Sequence, residues 1–311
     1  MSSQFKPGRV SVVVASYNHA RFLPQRMDSL IAQTYPDLEI IVIDDCSPDN
    51  SVEVLRRYEQ DPRVKLIIRE HNGGWVAVSN QGIDLATGEY VIFANCDDAC
   101  DPRMIERLVT ALQTNPSAGI AFCRSKLVDA DSKVLGDDRE YQSARFRATC
   151  ATDVSIPGAQ MGQFLLYGCV ISNLSAALFR RTSFDAAGNL SSSYRACSDW
   201  DLFFRMAARF DIVYIAEPLN LFRQHATTIR SRMKERETYQ EYFRVLLSHG
   251  ALLKLTTLER ARFRTHIMFL WAVHLMSPSL RGIADLPYTQ ETVSLPLTWP
   301  IAKHGVIEPF Q

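Results

Sequence analysis

The chain has 311 residues, with 34 Lys+Arg against 34 Asp+Glu, 47% hydrophobic and 22% charged residues. These values exclude a disordered, collagen-like or coiled-coil chain, and the length suffices for one large domain or two small ones. A zero net charge also argues against nonspecific binding to nucleic acid or anionic membrane as the main task.

Read in chain order, short apolar runs alternate with helical patterns. Val10 to Ala15 is a continuous β-branched run, followed by a helix that buries Phe22, Leu23, Met27, Leu30 and Ile31. Glu39 to Ile43 ends in Asp44-Asp45; a helix from about Asn50 to Tyr58 leads to Val64–Ile68. A helix from about Val76 to Ala86 precedes Tyr90 to Ala94. Continuous apolar strands separated by helices predict a doubly wound α/β half, its mostly parallel sheet covered on both faces. Ligands of such a sheet lie beyond the carboxyl ends of the strands.

Polar residues fall at those ends: Ser16, Tyr17 and Asn18 after the first strand, Asp44 and Asp45 after the second, and Asn95-Cys96-Asp97-Asp98 after the fourth. Helix caps account for some acidic residues, since Asp101-Pro102 suits the start of the helix Arg103 to Gln113 and Asp49 or Ser47 that of the helix near Asn50. Asp45, Asp97 and Asp98 are left without an obvious structural task. Beyond Gly119 the pattern loosens. Ile120 to Cys123 reads as a strand, Val128 to Val154 as polar and irregular, and Ser175 to Phe179 as a further strand. SDWDLFFRMAARF reads as a helix with Leu202, Phe203, Met206 and Phe210 buried. Ser198 and Asp201 fit a capping box, which does not account for Asp199 at the helix mouth. The strand Ile212 to Ile215 follows, then two helices over about Glu235 to Leu255 and Leu258 to Met276.

The seven cysteines are scattered, form no CxxC pair and have no zinc-like Cys/His spacing. The opening MSSQFKPGRV lacks an apolar signal core, and Ile267 to Met276 is far shorter than the roughly 20 residues of a membrane span. The expectation is a cytoplasmic, reducing location, with peripheral contact at the inner membrane face left open. His19, His71, His249, His266, His274 and His304 read as surface or satisfied core residues. Trp75 suits stacking on a base or sugar and plain packing equally well.

Neither GxxxxGK[ST] nor GxGxxG nor GxSxG occurs. A diphosphate could instead be held through a divalent cation on carboxylates, and the Asn95 to Asp98 turn offers two of them. With these residues in view, the chain resembles the GT-A-fold glycosyltransferases of family 2. The resemblance runs from about Val10 to His225 on an ordered set of motifs: VSVVVASYNHARFL, SLIAQTYPDLEIIVIDDCSPDNS, HNGGWVAVSNQGIDLATGEYVIFANCDDACDP, CSDWDLFFRMA and FRQHA.

The resemblance implies a GT-A catalytic domain over 1–230, with a nucleotide-binding half over about 8–125 and an acceptor half over about 126–230. A C-terminal helical extension and tail would occupy 231–311. It implies inverting transfer of a sugar from a nucleotide-diphosphate sugar, UDP or dTDP foremost, to a hydroxyl of a glycan or lipid-linked saccharide. Ala15, Tyr17, Asn18, Asp45, Asn80 and Asp97 would bind the nucleotide, with Tyr17 and Asp45 lining the base pocket. Asp97, Asp98 and His225 would hold Mn²⁺ or Mg²⁺, and Asp199 would be the general base. Two departures stand out: Asn95 replaces the first Asp of the DxD region, and Ser79 replaces an Arg, for which Arg69, Arg180 or Arg181 could compensate. The alternative these departures suggest is a sugar-nucleotide-binding or scaffolding subunit that has lost its chemistry. The aromatic C-terminal helices suit packing on the catalytic domain, on a second copy in a homo-oligomer, or on lipid.

Overall fold

Strands β1 (Lys6–Ser16), β2 (Leu38–Asp44), β3 (Val64–Ile68) and β4 (Gly88–Phe93) pair in parallel in the order β3-β2-β1-β4. The computed structural model describes residues 5–140, 142–226 and 235–276. The strands are apolar throughout because both faces are covered. Val10, Val12, Val14, Ile40 and Val42 are buried with side chains of α1 (Leu23–Ile31), α2 (Ser51–Arg56) and α4 (Met104–Thr114). On the other face α3 (Trp75–Leu85) lies so close to β1 that a Cβ at Gly82 would run into the Val13 methyls. The chain adds strands on one side of β1 and then places β4 on the other. The crevice between the ends of β1 and β4 is therefore the topological switch point, where open α/β sheets bind ligands.

The second half continues the same sheet. After the two-residue β5 (Ala99–Cys100) come β6 (Ala118–Val128), β7 (Val134–Asp137), β8 (Val154–Ile156), β9 (Ala177–Arg180) and β10 (Asp211–Arg223). β9 inserts between β4 and β6, antiparallel to both, and β10 pairs with β6 in parallel. β6 and β10 thus point the same way as β1 to β4, and their carboxyl ends reach the same edge. β6 also runs through the boundary expected at 125, so the two halves share one sheet. The stretch expected to be irregular, Val128 to Val154, holds the β6–β7 hairpin and α5 (Ala144–Thr149), capped by Ser143 Oγ accepting from the Phe146 amide. Next come α6 (Gly158–Leu165), α7 (Arg181–Ala187) and α8 (Ser198–Ala207).

Capping differs in detail from expectation. Asp101 accepts from the Arg103 amide at 2.9 Å and Asp49 from the Ser51 amide at 3.1 Å, but the N-cap places expected for them fall to Arg103 and Asn50, neither of which makes a side-chain cap bond. The box at α8 is replaced. Cys197 takes the N-cap place, Ser198 donates to the Ser191 carbonyl at 2.9 Å, and Asp201 pairs with Arg205 at 2.8 Å.

The chain divides into two units, Met1–His225 and Ala226–Gln311. In the second, α9 (Glu235–Leu252) and α10 (Thr257–Met276) pack closely enough that a Cβ at Gly250 would strike the Phe263 ring. A capping box opens α10: the Thr256 amide donates to Glu259 at 2.9 Å and the Glu259 amide to Thr256 Oγ1 at 3.3 Å. Among the described residues no helix is long and apolar enough to cross a membrane. The expected tail beyond Met276 and the segment 227–234 lie outside the described residues.

Candidate active site

Most of the expected site residues are placed by strand ends, whereas Asn80 and Asp199 lie on α3 and α8. β1 ends at Ser16, with Ala15 half-buried beside it, and Tyr17 is 39% exposed at the crevice mouth. Asn18 turns the chain back at φ +55°, a left-handed conformation that Asn tolerates better than most side chains, and its amide donates to Ser47 Oγ at 3.0 Å. That turn aims His19 at the end of β4.

At the end of β2 the two aspartates divide their work. Asp44 is fully buried and accepts from the Ser47 amide (2.9 Å), the Ser47 hydroxyl (2.6 Å) and the Ser16 hydroxyl (3.1 Å), fastening β2 to β1. Asp45, the expected base acceptor, accepts from the Arg69 guanidinium (2.6 Å) and from the Gly73 (2.9 Å) and Gly74 (2.7 Å) amides at the mouth of α3. Its side chain is only 3% exposed. The carboxylate expected to accept from a base is thus already engaged by three donors.

The turn after β4 separates the next pair. Asp97 lies 3.0 Å from His225 Nε2. Burial works against ionisation of Asp97, but the His225 hydrogen bond and the neighbouring His19 and His225 charges outweigh it, and the carboxyl sits below its usual range. Asp98 points inward and is 1% exposed. It accepts from Asn173 Nδ2 (2.8 Å), Ser175 Oγ (2.7 Å) and the Arg223 amide (2.9 Å), with Arg26 3.9 Å away. Burial and the charge of Asp97 push Asp98 up to about 7 against those donors. The structure therefore takes Asp98 out of the expected cation ligands: its oxygens tie the turn to β10 and the Leu174 region, where an ion has no access.

The group that does come together is His19, Asp97 and His225, which offer donor atoms within 4.8 Å of one another. β5 is the cause. By pairing Ala99 and Cys100 with Leu221 and Asn220, it lays the Asn95–Asp98 turn beside the end of β10, two residues before His225. Arg223, 1% exposed, locks the arrangement: Nε donates to the Asp97 carbonyl (2.7 Å), Nη1 to the Asp129 carbonyl (2.7 Å), and Nη2 to Gln25. Sequence reasoning missed His19 and Arg223. The one available signal was that His19 shares the post-strand loop with Tyr17 and Asn18.

Asp199 is half-buried in the first turn of α8, where the helix dipole favours a carboxylate. The loop before it is tied to α3. Trp75, half-buried, donates from Nε1 to the Arg195 carbonyl at 2.8 Å. Asn80, expected at the nucleotide, instead pairs with the Leu190 backbone, donating to its carbonyl at 2.9 Å and accepting from its amide at 3.0 Å. Since Trp75 follows the Gly73-Gly74 pair held by Asp45, the Asp199 loop stands at the same end of the sheet as Asp45. The expected substitutes for the missing arginine separate likewise. Arg69 is at this end, whereas Arg180 bonds the Ala118 and Leu112 carbonyls and Arg181 stacks on Phe5, at the opposite end.

The model of glycosyl transferase family 2 matches residues 11–186, more than half of the chain. The protein belongs to that family. An uncharacterised glycosyltransferase of Rickettsia typhi is 28% identical over 80% of this chain and 73% of its own length. One from Nostoc sp. is 35% identical over 41% of this chain and 39% of its own length, and the glycosyltransferase GlyG of Streptococcus pneumoniae is 39% identical over 33% and 35%. The chain thus spans well under half of the latter two relatives. Among solved structures, Staphylococcus aureus TarS in complex with UDP-GlcNAc aligns at a TM-score of 0.66 with 17% identity, covering 91% of this chain and 77% of that one. The mannosyltransferase PcManGT of Pyrobaculum calidifontis, in complex with GDP-Man and Mn²⁺, aligns at 0.56 with 17% identity over 89% and 83%. The family 2 fold is accordingly GT-A, with the nucleotide half parallel and β9 reversed within the sheet.

Proposed function

We propose that this family 2 glycosyltransferase is an inverting, divalent-cation-dependent enzyme. It transfers a sugar from a UDP- or dTDP-sugar to a hydroxyl of a glycan or lipid-linked saccharide. The observation that carries this reading is the meeting of Asp97 and His225, 3.0 Å apart, beside the switch-point crevice. A carboxylate and an imidazole are hard and borderline donors that together suit a Mn²⁺-like ion, and the residues present fit such a group. When bound, the cation would neutralise the charge that develops on the departing nucleoside diphosphate.

The chain's own groups do the rest. Tyr17 and Asn18, at the mouth of the β1 loop, line the place for the base and ribose. Arg69 is the cation at this edge best placed to meet the base or the phosphates once it leaves Asp45. Asp199 accepts the proton of the acceptor hydroxyl as that oxygen attacks the anomeric carbon. The bond between that carbon and the diphosphate oxygen breaks on the opposite face, which inverts the configuration.

The test is calorimetric titration with UDP in the presence of Mn²⁺ or of EDTA, together with the anomeric configuration of the product by NMR. Metal-enhanced UDP binding and an inverted product are expected. A retained configuration refutes the single displacement, and absence of any UDP binding favours the scaffolding reading.

A further inference from the structure

The cation site has a third side chain in reach. His19, Asp97 and His225 offer one donor atom each within 4.8 Å, and all three residues are half-buried. Atoms bound about 2.1 Å from one ion stand roughly 3.0–4.2 Å apart, so the three close on an ion with little movement. Each is also held from behind, as metal ligands generally are. His19 Nδ1 lies 3.3 Å from Cys96 Sγ. His225 packs on Phe22 (centroids 4.8 Å) and edge-on to His19 (5.2 Å, 89°). The Arg223 guanidinium covers Phe22 at 5.0 Å and fixes the Asp97 main chain from its other atoms. The aromatic contacts, with a buried cation behind them, hold the His225 imidazole on the Asp97 carboxylate and His19 alongside it.

We infer that His19 is a third protein ligand of the cation, and that the resulting two-imidazole, one-carboxylate set selects first-row transition metals over Mg²⁺. The inference rests on the reading of Asp97 and His225 as cation holders. Imidazole nitrogen suits Co²⁺ and its neighbours, whereas Mg²⁺ demands oxygen donors and gives up its water reluctantly. The expected order of affinity is Co²⁺ above Mn²⁺, with Mg²⁺ last. Positions left open by the three side chains remain for diphosphate oxygens.

The experiment titrates the full chain with Mn²⁺, following loss of the free-ion electron paramagnetic resonance signal, and with Co²⁺, following its visible absorption. Both are run with and without UDP. His19→Ala is expected to weaken Mn²⁺ and Co²⁺ at least ten-fold and to alter the Co²⁺ spectrum. His19→Asp restores an oxygen donor and should recover Mn²⁺ binding while narrowing the preference for Co²⁺. Thermal unfolding without metal confirms that the variants are folded. Wild-type Mn²⁺ affinity and an unchanged Co²⁺ spectrum in His19→Ala overturn the inference, as does Mg²⁺ competing on a par with Mn²⁺. If UDP binding falls while metal binding stays intact, His19 is a nucleotide contact and the inference is likewise overturned. Asp97→Asn and His225→Ala separate the two levels. Should these also bind metal like wild type, the cation reading itself is wrong; should they lose it while His19→Ala keeps it, only the third ligand is wrong.

Discussion

Single side chains at this edge of the sheet do different jobs according to burial, even when adjacent in sequence. Asp97 is exposed enough to meet an ion, whereas Asp98 is a buried tie. Asp199 is carried not by a strand end but by a first helical turn. Replacing it with Asn is expected to preserve UDP affinity by calorimetry and to lower transfer by about 10²–10⁴-fold, the usual worth of a general base. Asp49 is a structural counterpart. Burial raises its pKa, but the Ser51 hydroxyl and the Ala20 and Ser51 amides outweigh that, leaving it below the ordinary carboxylate value. A depressed folded pKa gives stability that is present above the unfolded pKa of about 4 and is lost as the pH falls through the folded value. Asp49→Ala should therefore cost about 1 kcal/mol at pH 7 through loss of its bonds to the Ala20 amide and to Ser51, and the gap to wild type should shrink as the pH is lowered towards 3. Urea denaturation at several pH values checks this.

At the scale of elements, α3 is the connecting member. Its mouth is held by Asp45 through Gly73 and Gly74, and Gly74 takes φ +83°, where a Cβ would strain the backbone. Its flank holds the Asp199 loop through Trp75 and Asn80, while Arg205 donates to the Ala187, Gly188 and Asn189 carbonyls of the same loop. Asn80→Ala is expected to leave UDP affinity unchanged and to lower kcat about ten-fold or more, because misplacement of a reacting group by even 1 Å is costly. A direct nucleotide contact would show the reverse, a weakened UDP Kd. Gly82→Val should destabilise the protein by about 1–3 kcal/mol through overpacking against Val13, measured by thermal unfolding. The long strands and the helices of the nucleotide half were legible because hydrophobic period is a local signal, whereas the N-caps fell one or two residues from the expected Asp49 and Asp101. The α8 box was not, since Arg205 competes for Asp201 and is itself oriented by carbonyls from sixteen to eighteen residues upstream.

In the molecule as a whole, every candidate site residue falls in the unit Met1–His225. A chain truncated after Ala226 is expected to bind UDP with wild-type affinity by calorimetry; loss of binding would assign part of the site to the C-terminal helices. The sequence by itself determined the α/β architecture and, with it, that Tyr17, Asp45 and Asp97 follow strands at the one edge where sheets of this kind bind ligands. Strand direction and switch point follow from the alternation of apolar runs and helices. Only the tertiary structure decided which of those residues are available. Asp98 turns inward and Asn80 turns to Leu190, whereas His19 joins Asp97 and His225. The physical reason lies in β5 and Arg223. A two-residue strand has too little periodicity to be read, and the partners of a buried guanidinium come from Gln25, Asp97 and Asp129, parts of the chain that meet only once the sheet is closed.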